Sequence, residues 1–191
     1  MQTRQPCRPL PRLWLMTDER QGDALWSALA RLPRGAGLIF RHHATPPSER
    51  RALYERVRRM AHARRLTLIL AGNPRQAIGW RADGVHGRSP HRHAPRPLIR
   101  TAPAHNRSEL TAAERAGADL VLLSPVFPTR SHPGAPTLGR VRFLALAHCA
   151  KAKVIALGGM TPERARTLRN IHGWAAIDAW SGNQAGKCVR T

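Results

Sequence analysis

The chain has 191 residues and a formal net charge of +21, with 32 Lys and Arg against 11 Asp and Glu. That length suits one domain with its own core and leaves little room for a second. The charge attracts phosphate-bearing partners in general, whether nucleic acid, anionic lipid or phosphorylated metabolites, without choosing among them.

Lysine occurs only at Lys151, Lys153 and Lys187, which points to a compositional bias towards arginine and makes much of the charge a solvated exterior. Cys7, Cys149 and Cys188 are odd in number and lack any CxxC or metal spacing. They indicate neither a disulfide framework nor a zinc site, and a reducing cytoplasm is the expected location. The N-terminal stretch lacks an apolar signal region, and no run approaches membrane-spanning length, so no membrane partner is expected.

Residues 1–12 read as an N-terminal extension and 13–191 as a single domain. Short apolar runs then recur along the chain: "LWLMT" at 13, "GLIF" at 37, "LTLIL" at 66, "ADGVH" at 82, "PLIR" at 97, "ADLVLLS" at 118, "KVIAL" at 153 and "WAAID" at 174. They do not alternate apolar with polar, which is the pattern of parallel strands covered on both faces. Between them lie helix signals. Thr45-Pro46 with Glu49 opens a helix whose apolar face is predicted to carry Leu53, Val57 and Met60, with Arg50, Arg51, Arg58 and Arg65 largely elsewhere. Asn106 and Thr161-Pro162 are further N-cap openings, and Gly117 sits where a helix stop belongs.

Eight β units alternating with helices predict an α/β fold of the (β/α)8 TIM-barrel type. The proline-rich connection Gly87–Pro97 reads as a loop, and the residues after the last strand are too few for a full helix.

In such barrels the loops after the strands build the active site. Seven of the ten histidines, His42, His43, His86, His91, His93, His105 and His132, fall on that rim. Imidazoles there suit proton transfer near neutrality. No metal site is assigned, because the histidines lack a carboxylate partner and no HExxH spacing occurs. Gly158-Gly159, ahead of the helix that opens at Thr161, offers backbone N–H groups suited to phosphate.

The segments "LWLMTDER", "ADGVH", "AHNRSELTAAERAGADLVLLSPVFPTRSHPG", "VIALGGMTPE" and "WAAIDAW" occur in an order and spacing that resemble the thiamin phosphate synthase and TenI-type thiazole tautomerase superfamily. The resemblance runs from Leu13 to Trp180 and is most specific in "ERAGADLVLLSPVFPT". It implies that the loop after strand 6 closes over a phosphorylated thiazole and, in synthases, the departing pyrophosphate. The synthase reaction expels pyrophosphate from a hydroxymethylpyrimidine diphosphate, a step that calls for positive charge and magnesium.

Four positions depart from the synthase pattern. An Arg and a Lys two apart read Arg41 and His43; an Asn-Asp pair reads Asn73-Pro74; the acidic residue after "GVH" is missing from "GRSPHR"; and Thr-x-Thr-Lys reads Thr129-Arg130-Ser131-His132. Two magnesium carboxylates are lost by this comparison. The tautomerase branch needs no metal, and His105 matches its proton-transfer histidine.

The expectation is therefore a TenI-like protein acting on a thiazole phosphate without a cofactor, with His105 as general acid and base. Arg41, His43, Asn73, His86, Ser124, Thr129, Ser131, His132, Gly158, Gly159 and Asp178 are expected to contact the substrate or its phosphate. Asp178 replaces a serine usual in the family, and Arg41 is expected to approach it and be partly neutralised by it. The alternatives are a divergent synthase using Mg2+, or a non-catalytic barrel binding a phosphometabolite or nucleic acid. Nucleic acid is disfavoured because the arginines are dispersed and no stacking motif accompanies them. Assembly into a homo-oligomer is left open.

Overall fold

The computed structural model describes residues 9–88, 97–131 and 133–180. Its elements in chain order are β1 (Leu13–Met16), α1 (Ala24–Arg31), β2 (Gly37–Phe40), α2 (Pro47–Ala63), β3 (Thr67–Ala71), α3 (Pro74–Gly79) and β4 (Gly84–His86), then β5 (Ile99–Ala104), α4 (Arg107–Arg115), β6 (Leu120–Leu123), α5 (Gly139–His148), β7 (Lys153–Ala156), α6 (Pro162–Arg166) and β8 (Gly173–Ala176). All eight strands pair in parallel with their sequence neighbours, and β1 closes the ring on β8 through Trp14 opposite Ala175. This is a TIM barrel, as the alternation of apolar runs and helices predicts. The expected loop between β4 and β5 and the expected short tail after β8 fall largely on residues 89–96 and 181–191, which lie outside the described residues. No helix among the described residues is long and apolar enough to cross a membrane.

The strands are largely apolar on both faces because each face meets a different partner. Trp14, Met16, Ile39, Ile69, Leu122 and Ile155 fill the barrel interior as one cluster, whereas Leu15, Leu38, Phe40 and Leu70 turn outward onto α1, α2 and α3. Each such side chain, once fully buried, contributes about 1.5–3 kcal/mol. The largest interior residue, Trp14, is fully buried and donates its indole N–H to the Pro11 carbonyl at 2.9 Å. A β-carbon on Gly37 would fall on the Trp14 ring, so glycine is required there. Leu10 is buried, and the Arg12 carbonyl accepts from the Trp174 N–H at 2.9 Å. The end of the N-terminal extension therefore packs against the barrel floor.

Local signals hold at several caps. Asn106 accepts from the Glu109 N–H at 2.9 Å, Thr161 accepts from the Arg164 N–H at 3.2 Å, and Gly117 follows α4 with a φ of +81°. Helix α2 differs from expectation. It begins at Pro47, with no side-chain cap from Thr45, and it buries Arg50, Tyr54, Val57 and Ala61, while Leu53 and Met60 pack only at the flank.

Arg50 is 8% exposed rather than solvated. Its guanidinium donates to the Arg41 carbonyl at 3.0 and 2.8 Å and to the Ala71 carbonyl at 2.9 Å, while passing over the rings of Phe40 and Trp80. The physical reason is that the strand ends expose carbonyls that no neighbouring N–H reaches, and a buried carbonyl needs a donor.

Replacing Arg50 by Met keeps the stem but removes those donors. The variant is expected to lose about 2–3 kcal/mol of stability, read as a lower denaturant midpoint at unchanged slope. A wild-type midpoint would show that the guanidinium is dispensable.

Candidate active site

The loops at the C-terminal ends of the strands enclose a cavity of about 580 Å³. Met16 and Leu157 form part of its base, Arg41 comes from the end of β2 and His105 from the end of β5, and the loops after β6, β7 and β8 supply the remaining wall. Eight of the sequence-predicted residues line it: His105, Arg41, Ser124, Thr129, Ser131, Gly158, Gly159 and Asp178.

His105 stands between the end of β5 and the Asn106 cap of α4, and its backbone N–H is held by Glu109 Oε2 at 3.1 Å. Its ring Nδ1 lies 2.8 Å from the Ser124 carbonyl. A carbonyl can only accept, so Nδ1 carries the hydrogen. In the neutral ring the lone pair is therefore on Nε2, and the same bond stabilises the imidazolium after protonation. The Ser124 hydroxyl lies 3.3 Å from the same nitrogen.

Gly158 and Gly159 have φ of +98° and +59°. A β-carbon on Gly158 would meet Pro125, so the turn needs glycine for conformation and for contact. The β6 loop docks on it through Val126 N–H to the Leu157 carbonyl at 2.9 Å and Phe127 N–H to the Gly158 carbonyl at 3.1 Å. Among the described residues, no acceptor meets the N–H of either glycine.

The charges pair differently from expectation. Arg41 approaches Asp18 at 3.9 Å, not Asp178, and it also contacts the Met16 sulfur. Asp178 instead pairs with Arg130 of the β6 loop at 3.1 Å. Asp178 follows β8 by two residues, where the chain has left the barrel layer and faces the β6 loop. Asp18 is buried after β1, and hydrogen bonds from Arg20, with Arg41 nearby, hold its carboxyl below the usual range. Arg164 folds back over the Phe127 ring and donates to the Gly159 carbonyl. Sequence reasoning missed Asp18, Arg20, Arg130 and Arg164 as rim residues. Only the polar "TDER" directly after β1 could have signalled the first two.

Three predicted contacts stand apart from the cavity. Asn73 uses its side-chain carbonyl to cap α3 at the Gln76 N–H, 2.8 Å away. His86 bonds the Thr101 hydroxyl at 2.8 Å, and burial, with Arg41 and His43 nearby, pushes its pKa down to about 4. It is neutral at physiological pH and adds no cation there. His43 is exposed beyond β2, and partial desolvation, with the charges of Arg50 and Arg41, lowers its pKa. None of the three lines the cavity. His132 lies outside the described residues, as do His91 and His93. His42 is buried, bonded to the Thr17 hydroxyl at 2.9 Å and stacked on Phe40.

The described donors do not fit magnesium at the positions where the resemblance implies it. Pro74 opens α3 in place of a carboxylate, Asn73 is consumed as a cap, and Arg88 after β4 pairs with Glu109 at 3.1 Å. Among the described residues, no three His, Cys, Asp or Glu side chains come together in a group able to hold a metal.

With Asp178 side-chain exposure at 37% and Arg130 at 73%, their pairing is a solvent-screened contact. Asp178→Ser frees Arg130 and removes a negative charge from the cavity wall. Inorganic phosphate at low salt should then bind about two- to fivefold more tightly. Equal or weaker binding in a titration would mean that Asp178 serves only to organise Arg130.

Comparison with known proteins bears on which barrel this is. A protein of Aquifex aeolicus provisionally named thiamine-phosphate synthase 2 is 29% identical over 166 residues, covering 81% of this chain and 88% of the relative. The thiamine-phosphate synthase of Pyrococcus horikoshii is 25% identical over 182 residues, covering 91% and 88% of the two chains. In fold, the chain is similar to the thiamine phosphate pyrophosphorylase of Pyrococcus furiosus, with a TM-score of 0.72 at 24% identity over 92% of this chain and 89% of that one. The model of the family described as thiamine monophosphate synthase matches residues 13–180. That match spans all eight strands and the whole cavity rim, and the chain belongs to the thiamine monophosphate synthase family.

Proposed function

We propose that the protein binds a thiazole phosphate and catalyses its tautomerisation by proton transfer at His105. The observation that carries this reading is the His105 Nδ1 to Ser124 carbonyl bond, which leaves Nε2 as the one ring atom free to take and return a proton in the cavity. Nε2 removes a proton from one ring position of the thiazole, the carbonyl supports the imidazolium, and Nε2–H delivers a proton to the second position. One bond to hydrogen breaks and one forms, the ring double bond shifts between the two positions, and no group leaves. A positioned acid and base of this kind accounts for about 10²–10⁴ in rate.

The phosphate end is assigned to the N–H groups of Gly158 and Gly159, with the Thr129 and Ser131 hydroxyls close by and Arg41 and Arg130 supplying positive charge. Main-chain donors and hydroxyls hold a phosphate at any pH at which it is ionised. The strongly basic exterior steers such an anion towards the cavity.

The second reading is a synthase joining a pyrimidine diphosphate to the thiazole phosphate, and it is favoured by the names of the family and of the curated relatives. The donor set argues against it. Pro74 and Asn73 supply no carboxylate where the metal is expected. Binding without catalysis is the remaining alternative.

Two measurements separate these readings. His105→Ala should lower the tautomerisation rate about 100-fold or more while thiazole phosphate affinity stays within a factor of about two, the scale set by losing a group that acts only in the transition state. An unchanged rate would reduce His105 to a loop-capping side chain. Expressed in a strain lacking thiamin phosphate synthase, the protein should fail to restore growth without added thiamin. Robust growth would establish the synthase reading in its place.

A further inference from the structure

The turn Asp18–Gln21 after β1 contributes no wall to the cavity, yet it is tied to three of the loops around it. Glu19 Oε1 accepts from the Ala44 N–H at 2.8 Å in the β2 loop, and Gln21 Nε2 donates to the Ile177 carbonyl at 2.8 Å after β8. Asp18 takes the Arg20 guanidinium in a two-pronged contact, Oδ1 from Nε at 2.7 Å and Oδ2 from Nη2 at 3.1 Å. The outer edge of that guanidinium then reaches the β6 loop, with Nη1 donating to the Arg130 carbonyl at 3.3 Å and Nη2 to the Ser131 hydroxyl at 3.1 Å.

From this geometry we infer that Arg20, oriented by Asp18, is a positioning residue that seats the β6 loop over the phosphate end of the cavity. The inference rests on the proposed placement of the substrate phosphate against Thr129, Ser131 and the Gly158-Gly159 turn.

Three features carry it. The buried carboxylate of Asp18 fixes the fork before the loop is engaged, so little side-chain freedom is lost in each loop contact. The two loop acceptors belong to Arg130 and Ser131, residues that line the cavity, so displacing the fork moves cavity wall. The Arg20 side chain is 52% exposed, so these bonds exchange readily with water and the clasp can open for substrate to enter. A lysine at this position could pair with Asp18 but, as a single ammonium, could not span the carboxylate, a carbonyl and a hydroxyl in fixed geometry.

The test uses the full-length protein, Arg20→Met and Arg20→Lys. Hydrogen–deuterium exchange of the segment from Phe127 to Ser131 is measured without ligand. Binding isotherms are taken with a thiazole phosphate and with the same thiazole alcohol lacking the phosphate. Both variants should speed exchange in that segment and weaken the phosphate ester about threefold to tenfold, the scale of one or two half-exposed charge-assisted bonds. The alcohol should be affected less than about twofold by the same reasoning, at an unchanged melting temperature.

Ser131→Ala removes one acceptor from the other side of the clasp. It should reproduce the faster exchange, and it decides the matter should an Arg20 variant fold poorly. Unchanged exchange in all variants, equal weakening of both ligands, or full recovery by lysine would overturn the positioning role. If the wild-type protein binds neither thiazole, the proposed function fails while the exchange data still decide the clasp.

Discussion

A parallel barrel directs the carbonyls at its strand ends into loops that cannot all satisfy them by pairing, and this chain meets the problem with side chains. Arg50 is the central case: one buried guanidinium joins the ends of β2 and β3 through the Arg41 and Ala71 carbonyls. Gln21 does the same at Ile177, and His105 at Ser124. A buried carbonyl left without a donor costs as much as the bond itself, so each tie is specified by its position. The rim that bears the site is held in shape by these contacts.

The catalytic suggestion grows out of the same device. The bond that satisfies the Ser124 carbonyl fixes which nitrogen of His105 carries a hydrogen, and in the proposed reading leaves Nε2 as the base. Structure and chemistry are here one interaction. His86 shows the contrast. It too is bonded, to Thr101, but burial and the neighbouring charges of Arg41 and His43 keep its ring neutral well below physiological pH, and it lies off the cavity.

Charge follows a comparable division. The overall +21 describes an exterior, whereas at the rim Arg20 and Arg41 share Asp18, Arg130 pairs with Asp178, and Arg164 donates to the Gly159 carbonyl. The expected approach of Arg41 to Asp178 does not occur because Arg41, at the end of β2, reaches Asp18 beside the neighbouring strand β1, while Asp178 is engaged by Arg130. In the proposed reading, an incoming phosphate would compete with carboxylates already in place, which favours the main-chain donors at Gly158 and Gly159 over the exposed arginines.

The amino-acid sequence by itself determined the eight strands, the parallel barrel and the face that carries the cavity. Two-sided burial writes continuous apolar runs, and caps such as Asn106 and Thr161 are read within three residues of themselves. It also located His105 and the Gly158-Gly159 turn, since both adjoin recognisable strand ends. It misread Arg50, whose burial depends on carbonyls of two other strands, and it grouped Asn73 and His86 with the cavity residues, whereas they stand apart from the cavity and bond the Gln76 N–H and the Thr101 hydroxyl, partners that residue type and rim position do not reveal. The contact of Arg20 with the β6 loop was likewise not legible, because its partner Arg130 lies 110 residues away in sequence. Local periodicity encodes which faces are buried; only the closed barrel decides which side chains from distant loops arrive at the same place and neutralise or orient one another.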